Sequence, residues 1–306
     1  MTPEKPTYES TLKFTKEEEI LDRFIYRPGG YRLALFFNKL RFTPNAVTII
    51  SIFVGLSGSI CFFFEDFTIN LAGVLLLISA NFLDCADGQL ARMTKNSTRI
   101  GRILDGFAGD VWFINMYFML AFRCMYYYDL DAWVFIPIVA SGLSHGKQAG
   151  MADFFKNVHL YFVKGGKGGE IDTIEEVTKE YDSYSARKNP FKKFLLGAYI
   201  GYTKNQREMS KEFSIFQTII ADKFNGVPPA DLVQEWTKKN RNLLYLVHAL
   251  SFNGRTMFLF PLMLLGIWWY YIPVELIGLN VVLYLMVKKY ERALKELNDK
   301  LLSRVA

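Results

Sequence analysis

The stretch "NFLDCADGQLARMTKNSTRIGRILDGFAGDVWF", residues 81–113, sets four aspartates and several basic residues between two runs that otherwise read as apolar helix. Measured from Asp84, the residues Asp87, Gly88, Ala91 and Arg92 fall at offsets of three, four, seven and eight, which is one stripe of a helix. Two carboxylates, two residues without bulk and one guanidinium therefore share a face. The next helix opens at Gly101, and Asp105 lies four residues on, on the same face. Two helices joined by the turn "MTKNSTR" thus present Asp84, Asp87 and Asp105 to one another.

Carboxylates gathered in this way repel unless cations join them, and at a membrane boundary leaving them unpaired costs several kcal/mol. Hard divalent cations with oxygen ligands are the natural partners. A close pair of such ions is a recurrent device for phosphoryl transfer, because it clamps the attacking and leaving oxygens. Gly88 and Ala91 would let a diphosphate approach the helix backbone, and Arg92 would hold a phosphate through paired hydrogen bonds.

The rest of the chain places this stretch in a membrane. Hydrophobic residues make up 51% and aromatics 16% of the sequence, and the apolar residues fall in long blocks. Six candidate spans lie near 47–64, 68–83, 105–126, 133–149, 243–268 and 273–287. An even number puts both termini on one side. The connections "FEDFT", "YYYDLDAW" and "WWYYIPVE" are acidic and aromatic, whereas the basic clusters all fall on the face shared by the termini, which is therefore read as cytoplasmic. The net charge of +6 needs no nucleic acid to explain it, since a basic collar beside anionic headgroups accounts for it.

The expected fold is an all-α, six-transmembrane-helix bundle with an N-terminal interfacial helix and a large helical cytoplasmic insert. Residues 1–42 form the cytoplasmic N-terminal and interfacial part, 43–149 the first four spans, 150–240 the insert, and 241–306 the last two spans and a tail. The opening "MTPEKPTYESTLKFTKEEEI" is too charged for a signal peptide. Within the insert, "KGGKGGE" lacks the Gly-Lys-Ser/Thr ending of a phosphate loop and reads as a hinge. "NPFKKFLLGAYIGYTKNQREMSKEF" is amphipathic and basic enough to lie on a membrane surface. Cys61, Cys85 and Cys124 are scattered and imply no disulfide framework.

Asp84-x2-Asp87-Gly88-x2-Ala91-Arg92-x8-Gly101-x3-Asp105 resembles the signature of the CDP-alcohol phosphotransferases, membrane enzymes that make phospholipids from a CDP-activated alcohol. The resemblance extends to the spans, the interfacial helix and the "TPNAVT" entry to the first span, but not to the insert. It implies a homodimer with a polar cavity open to the cytoplasm, and two Mg or Mn ions on the donor diphosphate. By the same resemblance Asp84, Asp87, Asp105 and a fourth aspartate are metal ligands. Thr48, Asp84, Gly88, Ala91, Arg92, Thr98 and Gly101 line the CDP site. The last aspartate takes the proton from the acceptor hydroxyl as that oxygen attacks the β-phosphorus and CMP leaves.

The family pattern places its fourth aspartate four residues after Asp105, but position 109 is Gly and the aspartate comes as Asp110. On a regular helix a step of five residues turns the side chain about 140° away. A single π-type turn between Asp105 and Asp110, eased by Gly106 and Gly109, would return it to the site, so the sequence predicts such a turn with Asp105 and Asp110 as catalytic carboxylates.

Arg99 resembles a position found in relatives with phosphorylated acceptors, and Lys147 and Arg255 are further cations for an acceptor phosphate. Arg255 lies within an apolar run, where a charge needs either a ligand or a partner aspartate. His145 and His248 read as packing residues. The reading favours CDP-diacylglycerol as donor and an inositol-type alcohol as acceptor. The alternatives are headgroup transfer to diacylglycerol or a ceramide-like lipid, a Mg-dependent prenyltransferase, a transporter with a carboxylate cation site, and an inactive scaffold.

Overall fold

The computed structural model describes residues 7–12, 18–166 and 171–305. Part of the "KGGKGGE" run therefore lies outside the described residues. Their regular structure is all helical, with no strand among the described residues. Among the described residues, three helical segments are long and apolar enough to cross a membrane: Pro44–Cys61, Phe67–Met93 and Trp268–Ser303.

The chain divides into two compact units. The first holds the residues up to Leu143 together with Met257–Ile272, and the second holds Ser144–Thr256 and the residues from Pro273 onward. In the first unit α1 (Arg27–Lys39), α2 (Pro44–Cys61), α3 (Phe67–Met93) and α4 (Arg99–Tyr128) follow one another through short connections. Each start has a local cause. Thr43 caps α2 by accepting from the Ala46 N–H, with Pro44 in the first turn; Asp66 caps α3 through Ile69, and Thr98 caps α4 through Gly101.

A small core of Ala34, Phe37, Val47, Ala86 and Leu90 fixes α1 and the beginning of α2 against the end of α3. Near the other end, α2 and α3 touch backbone to backbone. A Cβ on Gly58 would lie 2.9 Å from the Gly73 carbonyl oxygen, and a Cβ on Gly73 would lie 2.8 Å from that of Gly58, so a side chain at either position would push the helices apart.

The second unit contains most of α5 (Phe135–Val163), then α6 (Ile174–Ser183), α7 (Pro190–Met209), α8 (Lys211–Lys223), α9 (Ala230–Asn240) and α10 (Leu244–Ala249). It also holds the start of α11 (Phe252–Leu264), a π-helical segment at Val274–Leu279 and α12 (Asn280–Ser303). Its core is aromatic, with Phe155 stacked on Tyr290 at 4.2 Å and Phe162 against Trp236 at 4.0 Å.

Two sequence expectations need correction. The predicted span 243–268 is not one helix, because the chain breaks between Ala249 and Phe252. Ser251 caps the second piece by accepting from the Gly254 N–H at 3.4 Å. A Cβ on residue 254 would sit 2.5 Å from the His248 and Ala249 carbonyl oxygens, so the turn requires glycine there. The predicted π turn at 105–110 is also absent, since α4 is regular α-helix from Arg99 to Tyr128. Its buried stripe, Ile103, Leu104, Ala108, Trp112, Phe113, Met116 and Leu120, keeps helical register across that stretch, and an extra residue would rotate one half of it out of the core.

Candidate active site

The helix register of α3 and the cap of α4 together build an acidic cluster. Asp84 and Asp87 lie one turn apart on α3, and Asp105 lies two turns into α4. Each offers a carboxylate oxygen, and the three lie within 4.8 Å of one another. Asp87 is buried, and Asp84 and Asp105 are half-buried. Three like charges at this range repel strongly, and three oxygen donors from carboxylates are the set that a hard divalent cation prefers. The donor chemistry of the cluster therefore fits the ion that the sequence implied.

Around the cluster, Thr48 of α2 donates its hydroxyl hydrogen to Asp87 Oδ2 at 2.6 Å, with the Pro44 carbonyl a longer acceptor at 3.2 Å. Gly101 is crowded: a Cβ there would meet Asn45 Oδ1 and Thr98 Oγ1 at 3.0 Å each. Thr98 accepts from the Gly101 N–H at 3.0 Å, so its side-chain oxygen is engaged in capping α4. At Gly88 a Cβ would lie 3.5 Å from Arg92 Nη2, which places the Arg92 guanidinium along the backbone that the missing side chain leaves open. Arg92 Nε donates to the Thr11 carbonyl, and Thr11 is fully buried. Ala91 is half-buried on the same stripe.

Asp110 is not among the carboxylates that converge. In the regular helix its Cβ points about 140° from that of Asp105, and the irregular turn that would have returned it does not exist. Position 109 does share the Asp105 face, and nothing lies within 4 Å of where a Cβ on Gly109 or Gly106 would be.

The acceptor residues separate by unit. Arg99 opens α4 in the first unit, whereas Lys147, exposed on α5, and Arg255, on α11, belong to the second. Arg255 is 1% exposed, and its Nη1 reaches Glu275 Oε1 at 2.7 Å and His145 Nδ1 at 3.0 Å. Arginine can only donate, so His145 Nδ1 accepts and carries no proton. Arg255 Nε donates to the Leu250 carbonyl at 3.0 Å, a carbonyl at the break between α10 and α11. The partner aspartate expected from the sequence is therefore a glutamate, Glu275, in the π-helical segment.

Sequence reasoning missed Glu275, which it took for a loop acid in "WWYYIPVE". It also missed the N-terminal contacts to α3. Arg27 pairs with Glu18 at 3.0 Å, and its carbonyl accepts from Gln89 Nε2 at 3.2 Å. A polar Gln89 inside an apolar stripe was the available signal.

Comparison with known proteins agrees with the motif. Residues 41–148 match the family model described as CDP-alcohol phosphatidyltransferase. Archaetidylinositol phosphate synthase of Pyrococcus horikoshii is 40% identical over 67 residues, 22% of this chain and 34% of that protein. Bifunctional IPC transferase and DIPP synthase of Aquifex aeolicus is 29% identical over 103 residues, 33% of this chain and 23% of that protein. The matches thus span about a third or less of the length of these relatives. The matched segment contains α2, α3 and the whole acidic cluster.

Proposed function

We propose that the chain is a multi-pass membrane enzyme of phospholipid synthesis that moves a substituted phosphoryl group from a CDP-alcohol to an acceptor hydroxyl with release of CMP. The observation that carries this reading is the convergence of Asp84, Asp87 and Asp105 within 4.8 Å, inside the segment that matches the family. These three carboxylates would hold Mg or Mn. When bound, two such ions would neutralise the donor diphosphate and favour departure of CMP.

The chain's own groups do the rest. Gly88 and Ala91 keep one face of α3 free of bulk, and Arg92 turns its guanidinium along that face toward a phosphate. Gly101 lets α4 begin close against Asn45 and Thr98. The acceptor oxygen attacks the β-phosphorus, the bond from that phosphorus to the CMP oxygen breaks, and the acceptor proton passes to a carboxylate. With Asp110 turned away, Asp105 is the carboxylate of α4 that faces the cluster, and the open space over Gly106 and Gly109 gives an acceptor room to reach it.

The donor is CDP-diacylglycerol or a close lipid analogue, and the acceptor an inositol-type alcohol; the name of the Pyrococcus relative supports an inositol phosphate. Arg99, Lys147 and Arg255 were the sequence candidates for an acceptor phosphate. Of these we retain Arg99 and Lys147, since Arg255 is already paired with Glu275. We further propose six spans, both termini and the site on the cytoplasmic side, and a homodimer. The proposed divisions are 1–42, 43–149, 150–240 and 241–306. The test is CMP release from CDP-diacylglycerol with Mn or Mg across a panel of radiolabelled acceptors. Label appearing in lipid only with inositol phosphate or inositol supports the reading. Label transferred instead from a CDP-headgroup to diacylglycerol supports the alternative, and no CMP under any condition defeats both.

A further inference from the structure

We propose that Thr48 is a positioning residue that holds Asp87 in the geometry needed to bind a divalent cation, rather than a nucleotide contact. This deepens the functional reading above and rests on the three carboxylates being a metal site. The Thr48 hydroxyl is 2.6 Å from Asp87 Oδ2, within the range of a hydroxyl bonded to a carboxylate, and both residues are buried, at 2% and 3% exposure. A hydroxyl has one hydrogen, and the shorter of its two acceptors is the carboxylate. Its donor capacity is therefore committed to Asp87, and a nucleotide could receive it only by breaking that bond.

The surroundings fix the hydroxyl. Thr43 and Pro44 set the first turn of α2, and Thr48 stands one turn beyond Pro44. Val47 beside it packs with Ala86 and Leu90, which flank Asp87 on α3. The branched Cβ restricts the side-chain rotamer. One carboxylate oxygen of Asp87 is thus tied to α2, which fixes the carboxylate that would enter a cation's shell. Such supporting bonds set the orientation of a ligand and its affinity for metal, and their loss costs about 10- to 100-fold.

The test is Mn²⁺ titration of the full-length purified protein by calorimetry and by electron paramagnetic resonance, without turnover. Thr48→Val keeps the shape and removes the hydroxyl, so Mn²⁺ affinity is expected to fall about 10- to 100-fold, whereas Thr48→Ser holds it within about threefold. CDP-alcohol affinity at saturating Mn²⁺ is expected to stay at the wild-type value in both. If Thr48→Val does not fold, Thr48→Ala replaces it, against the same serine control. Wild-type Mn²⁺ affinity in the hydroxyl-less variant overturns the proposal, as does a loss of nucleotide affinity at saturating Mn²⁺ with metal affinity unchanged. Asp87→Asn separates the two levels: if it too binds Mn²⁺ like wild type, the metal reading itself fails.

Discussion

Each unit of this protein holds buried charge, and the two do so in opposite ways. In the first, Asp84, Asp87 and Asp105 bring like charges within 4.8 Å. In the second, Arg255 meets Glu275 at 2.7 Å, and His145 and the Leu250 carbonyl take further hydrogens of the guanidinium. The backbone of Glu275 is tied in as well, since Gln148 donates to its carbonyl at 3.2 Å and to Asn280 Oδ1 at 3.2 Å. Opposite charges that meet inside the protein hold a structure in place. Like charges that meet there repel, and a bound cation or a shared proton relieves the repulsion. Burial alone therefore does not mark a working site; the sign of the neighbours does.

Removing a charge should separate the two regions most sharply. Asp84→Asn or Asp87→Asn is expected to lower CMP release by at least about 100-fold while leaving thermal stability unchanged or higher, because repulsion is relieved. A fall in melting temperature that parallels the fall in rate would show that these carboxylates are structural after all. Arg255→Leu should do the reverse, costing about 3–5 kcal/mol of stability because it strips the buried Glu275 carboxylate of its arginine. The double variant Arg255→Met with Glu275→Leu should recover most of that loss in denaturant unfolding. If the single variant is as stable as wild type, the internal pair contributes no more than surface charges do.

A third test uses pH in the second unit. Burial, with Arg241 and His248 adding to it, pushes the His159 imidazole down to about 4. Its folded-state pKa lies below the unfolded value of about 6.5, so the neutral ring contributes stability that is present above pH 6.5 and lost as pH falls toward 4. The loss is of order 3 kcal/mol at most, and His159→Gln should flatten that part of the stability profile. An unchanged profile would remove His159 as its source.

The smallest effect concerns register on α4. Gly109→Asp should fold as well as wild type, since its Cβ meets open space, and should add a carboxylate to the Asp105 face. Asp110→Asn is expected to cost far less activity than Asp105→Asn. Equal losses from the two would return Asp110 to the chemistry.

The acidic cluster was legible because helical periodicity translates directly into a shared face, and offsets of three, four, seven and eight leave little freedom. The helical class was legible from apolar blocks for the same reason. What was not legible depended on partners distant in sequence. Glu275 follows an aromatic run and a proline, and nothing local announces that it turns inward to Arg255. The break before Phe252 did carry a signal, Ser251 three residues before Gly254, but it is concealed within an apolar run. The expected π turn fails on α4 because an unbroken buried stripe outweighs the pull of one aspartate. Elsewhere π-helical segments do form, at Asp22–Tyr26 and Val274–Leu279.

The touching backbones of Gly58 and Gly73 bear on the order in which the protein is built. A ribosome delivers α2 and α3 before α4, and the short connection between them lets the pair close as a hairpin while the rest of the chain is still being made. Closure at the glycines sets the sliding register of the two helices, and that register decides whether Thr48 arrives opposite Asp87 at the far end, about 15 Å away along α2. Two of the three carboxylates of the acidic cluster can thus be placed and oriented during synthesis, with Asp105 the last to arrive.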